Sequence, residues 1–134
     1  MSYNDRHFWS SAEQTLNGAT DLELPFAALE PILIHKIGLR VTNTAAGGAA
    51  VTFERRRNVS TDTTIEVVTI PASDNDGLLL YTDDFTPVEF LPGDVLNLAV
   101  VEGGTAPTAF AVIEYSHRDA ELENVAVTIA VESA

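Results

Sequence analysis

The chain has 134 residues with 20 acidic and 7 basic side chains, a formal net charge of −13, and no cysteine. One domain fits that length, with a core of ordinary size, and disulfides, thiolate metal sites and cysteine nucleophiles are excluded. So acidic a balance argues against a nucleic-acid partner, which needs clustered Lys and Arg. No apolar run reaches the roughly 18 residues of a membrane helix, and Met1–His7 lacks the apolar stretch of a leader.

Residues 1–20 read as an extended N-terminal arm. They hold Tyr3, Phe8 and Trp9, the only tryptophan, as candidate interaction residues. Ser10 or Ser11 is placed to cap a single helical turn with Glu13 or Gln14 reaching back, and Asn17-Gly18 stops it. Residues 21–134 form the domain. Asp21-Leu-Glu-Leu24 alternates, Pro25 and Pro31 bracket a connection, and 32–42 is the strongest strand. In it Leu33, His35, Ile37, Leu39 and Val41 share a nearly all-apolar face, which is expected to look at the core.

A Gly47-Gly48 loop returns the chain through 49–57, where Val51 and Phe53 begin inward and three arginines follow. Further strands are predicted over 63–70, 78–81, 88–91, 95–101, 108–116 and 124–132, separated by turn residues such as Asp74–Gly77 and Pro92-Gly-Asp94. Leu78–Tyr81 is continuously apolar, as in a strand covered on both faces. About eight short strands with β-branched residues and no helical period predict an all-β antiparallel sandwich of jelly-roll type, preceded by the arm.

Chemistry-bearing groups are sparse. His7, His35 and His117 are scattered, His117 with Asp119 is the nearest thing to a base and its orienter, and no nucleophile elbow, zinc motif or phosphate loop occurs. The chain reads as a non-enzyme without cofactor; a cupin-like metal enzyme is the weakest alternative. Asp74, Asp76, Asp83 and Asp84 invite a calcium test, although Asp-Asn-Asp-Gly is also tight-turn chemistry. Arg55, Arg56 and Arg57 form the one basic cluster. Their forks suit carboxylates, either of a second subunit or of their own.

Phe90-Leu-Pro-Gly-Asp-Val-Leu-Asn-Leu-Ala-Val-Val-Glu-Gly-Gly, then Ala109–Tyr115, with the earlier Ile37–Val41 and Ala50–Arg55, resembles the β-sandwich modules of tailed-bacteriophage structural proteins. That resemblance covers residues 32–116. It implies a virion protein: a capsid decoration (cement) protein, or a small neck or tail component. It further implies a homo-oligomer, a trimer by preference, seated on the major capsid protein lattice with an arm over its neighbours. The alternative is a carbohydrate- or receptor-binding module using Trp9, Tyr3, Tyr81 and Tyr115.

Overall fold

A computed structural model describes residues 6–18, 21–44, 47–73 and 76–118. Ten strands follow in order: β1 (His7–Ser10), β2 (Gln14–Thr15), β3 (Leu22–Leu24), β4 (Ile32–Asn43), β5 (Ala49–Arg57), β6 (Thr61–Ile70), β7 (Leu79–Thr82), β8 (Val88–Phe90), β9 (Val95–Glu102) and β10 (Thr108–His117). The predicted strand over 124–132 lies outside the described residues.

Two antiparallel sheets form a sandwich. Sheet A has the order β1-β10-β4-β7, with β2 also on β10 and β8 also on β4; sheet B has the order β3-β9-β5-β6. The pairings have one logic. β1 and β2 pair with β10, β3 with β9, β4 with β7 and β8, and β5 with β6. That is one long hairpin rolled up so that β10 also meets β4 and β9 also meets β5. The strand order is therefore that of a jelly roll.

The first strand of the roll is supplied by residues read as an arm. Leu16 is wholly buried and belongs to the core, so the sandwich begins before the boundary expected at residue 20. The helical turn expected around Ser10 and Ser11 does not form. The Ser11 amide donates to the Ala111 carbonyl, and Ser11 Oγ accepts from the Ala111 amide, both at 2.9 Å. The hydroxyl that suits a cap is used across the sheet instead.

Between the sheets lie Ile37, Leu39, Val41, Val51, Phe53, Phe90, Leu96, Leu98 and Ile113, each almost without exposure. The inward face expected for β4 holds only for its second half. Ile34 opposes Tyr115 while Lys36 opposes Glu114, so His35 is the extra residue of a bulge. Upstream of it the parity inverts, burying Ile32 and Ile34 in place of Leu33 and His35. β7 also departs from expectation: only Leu80 packs on the core, while Leu78, Leu79 and Tyr81 are exposed. In a two-sheet sandwich only one face of a strand meets the opposing sheet, so the other face of β7 is left to solvent.

Candidate interaction surface

The aromatic residues at the start of the chain point opposite ways because strand side chains alternate. Trp9 turns inward, its ring 5.1 Å from Phe26 in an edge-on arrangement, and packs against the core. Phe8 turns outward and is 77% exposed. Of the three interaction residues expected there, Phe8 faces solvent, Trp9 faces the core, and Tyr3 lies outside the described residues.

Register builds the surroundings of Phe8. Outward residues of sheet A fall into rows that run across the strands. Phe8, Glu114 and Lys36 make one row; Ser10, Val112, Gly38 and Tyr81 the next; Phe110, Arg40 and Leu79 the third. The middle row has the smallest side chains over most of its length, so it becomes the floor of a trough of about 1010 Å³ walled by the other two. Gly38 is required in that floor, because a Cβ there would lie 2.8 Å from both the Leu80 carbonyl oxygen and the Tyr81 Cβ.

The polar groups of the trough largely satisfy one another. Glu114 takes Arg6 at 3.6 Å and Lys36 at 3.8 Å. The Lys36 ammonium also sits 5.0 Å from the centroid of the Tyr81 ring, and the hydroxyls of Thr42 and Thr108 bond at 2.7 Å. Arg40 is exposed and makes no ion pair among the described residues. What faces solvent is apolar area from Phe8, Leu79, Tyr81, Phe110 and Val112, edged by cations.

The arginine cluster lies elsewhere, and each of its members has a partner in its own chain. Arg55 donates to the Glu89 carbonyl at 3.0 Å and to Thr63 Oγ1 at 3.2 Å. On the outward side of sheet B, Arg56 is gripped by Asp62 at 2.8 and 3.0 Å, by Glu23 at 3.0 Å and by Asp21. The hydrogen bond from Arg56 outweighs burial and holds the Asp62 carboxyl below its ordinary range. Arg57 holds Asp94 with two bonds. Asp94 in turn accepts the Leu91 amide at 2.8 Å, closing the Pro92-Gly93 turn, where Gly93 has φ 96°. These forks are filled by the chain's own carboxylates, so the subunit pairing expected of Arg55, Arg56 and Arg57 has no vacant bidentate site at Arg56 or Arg57.

The histidines approach one end of β10. His7 stacks on Tyr115 at 5.4 Å and lies 4.9 Å from His117, centroid to centroid. His117 Nδ1 is 2.6 Å from Glu30 Oε1, and His35 Nε2 is 2.7 Å from Ser116 Oγ. The carboxylate near His117 is thus Glu30; Asp119 lies outside the described residues. No group of three metal-ligating side chains is assembled among the described residues. Of the acids weighed for calcium, Asp76 accepts the Thr44 amide at 2.8 Å, which ties its turn to the segment after β4. Asp74 lies outside the described residues.

No protein-family model matches the chain, and no curated protein does. One solved structure that it overlaps is described as "Structure of Eiger TNF from S. frugiperda": 6% identity, TM-score 0.47, covering 82% of this chain and 92% of that one. The jelly-roll topology stands on the strand order alone. Sequence reasoning missed the trough, whose residues come from four separated segments. The one signal near it in the sequence was the adjacent aromatic pair Phe8-Trp9.

Proposed function

We propose that the chain is a non-enzymatic structural protein of a virion: a capsid decoration (cement) protein that binds and stabilises the major capsid protein lattice as a homo-oligomer, with a trimer preferred. The observation that carries this reading is the outward face of sheet A. Phe8 is 77% exposed, Tyr81 59% and Leu79 50%, all around one trough. Contiguous exposed apolar surface rimmed by charge marks a protein contact, and aromatic and arginine side chains are favoured at such contacts. The resemblance of residues 32–116 to phage sandwich modules supplies the setting.

The test is to mix the purified chain with shells assembled from the major capsid protein of the same genome, then pellet and heat the loaded shells. Saturable co-sedimentation and a higher rupture temperature are expected. A chain left in the supernatant at every ratio overturns the reading.

A second reading is supported by Tyr81 at the end of the trough, with Lys36 and Arg40 nearby. An aromatic platform beside cations suits a carbohydrate, as in a receptor-binding module of a head fibre, neck or tail. Silence on a glycan array at high protein concentration removes it.

A further inference from the structure

The two outward faces of the sandwich are unlike each other. On sheet B, outward rows of small residues, Ala99-Thr52-Val67 and Val101-Ala50-Thr69, cover one end. The other end carries the acids around Arg56, with Asp21 63% and Glu23 55% exposed at the side chain. Along its trough sheet A offers the reverse: bulky side chains and the cations Arg6, Lys36 and Arg40, with Glu114 the one carboxylate among the described residues that line it.

We propose that the trough of sheet A in one copy receives the outward face of sheet B in the next copy, a head-to-tail contact. This rests on the reading of the sheet A face as an assembly surface and names its occupant. Charge decides the orientation. In a chain of net charge −13 with seven basic residues, three of those cations edge this one face. Two such faces in a symmetric pair would set cation against cation, whereas the acidic end of sheet B sets it against carboxylate. Size agrees, since large side chains of one face interleave with Ala, Thr and Val of the other. Four strands about 4.8 Å apart and about seven residues long cover roughly 450 Å² a side, at or below the lower end for a stable pair. Each contact is therefore weak, but every copy makes two. A contact between different faces closes into a ring or continues as an array.

The experiment is sedimentation velocity on the full chain and on two caps. Val112→Arg fills the trough floor, with Arg40→Glu as the alternative if that variant does not fold; Thr52→Arg blocks the face of sheet B. Wild type is expected to gain mass with concentration. Its association should weaken about tenfold between about 20 and about 500 mM salt. Each cap alone is monomeric, and the two mixed form a one-to-one pair, because each retains the face the other lacks. A wild type monomeric at all concentrations, or a closed symmetric dimer that mixing the caps does not restore, overturns the proposal. A monomer that still loads capsid shells sinks this contact alone; a head-to-tail assembly that ignores shells sinks the virion reading alone.

Discussion

Arg57 holds both oxygens of Asp94: Nε donates to Oδ1 at 2.9 Å and Nη2 to Oδ2 at 2.6 Å. The pair ties the end of β5 to the turn before β9, two neighbours in sheet B. Asp94 is 3% exposed at its side chain, so it carries a charge in a place where water cannot help.

Burial pushes the Asp94 carboxyl up, but the Arg57 bonds and the Leu91 amide together outweigh it and leave it below its ordinary range. A depressed folded value means stability that is present above the unfolded value, near 3.9, and is lost as pH falls through the folded one. Asp62 acts in the same direction. Urea titrations between about pH 7 and pH 2 should therefore show a steep loss below about pH 4. Asp94→Asn should flatten part of that loss and lower neutral stability by about 2 kcal/mol. An unchanged acid limb would assign it to other carboxylates.

Trp9→Ala and Phe8→Ala should separate cleanly although the residues are adjacent. Trp9 staples β1 to the core beside Phe26, and its truncation should cost about 2–3 kcal/mol, below the usual range for a fully buried ring. Amide exchange in β1 and β2 should quicken with it. Phe8→Ala should stay within about 0.5 kcal/mol of wild type in stability and weaken association instead. Equal stability losses would contradict the alternation of β1.

The hairpin between β5 and β6 contains Asn58 and Val59 at φ 55° and 71°. Two successive positive φ values are what a type I′ turn requires, and Asn-Gly is its preferred pair. Val59 is β-branched and 88% exposed, so its side chain gains little to offset the strain. Val59→Gly should raise the midpoint of thermal unfolding, by about 1 kcal/mol in free energy. A loss would indicate that the valine side chain has a partner in solution.

Gly38→Ala should be costly for a residue so near the surface. The added methyl meets the Leu80 carbonyl and Tyr81 Cβ at 2.8 Å, so β7 must shift, at about 1–3 kcal/mol. Calorimetry reads the loss. Tyr81 leaves its position beside Lys36, which should reduce association beyond the stability change.

Much of the sandwich was legible because its strands are bounded by strong punctuation. Gly47-Gly48 precedes β5, which runs over residues 49–57 as read, and Pro71 ends β6 at Ile70. Elsewhere apolar residues stood on both parities. Ile32, Leu33, Ile34 and Ile37 allow either face of β4 to turn inward, and only the bulge at His35, set by pairing with β10, decides. β1 and β2 are short and mixed in composition, so nothing local distinguishes a strand from an arm. The trough was less legible still: Phe8, Lys36, Tyr81 and Val112 share no local pattern, and long-range register alone brings them together.

The first and last described strands have a mechanical consequence. β1 and β10 are antiparallel, and His7 lies opposite Tyr115 at one end of the pair. A load applied through residues 6 and 118 therefore pulls both strands from the same end. Their hydrogen bonds carry it one after another, as a zipper does, rather than all together in shear. Tension delivered through those two points would peel β1 away at low force and uncover the edge of β10, while the rest of the roll stays closed.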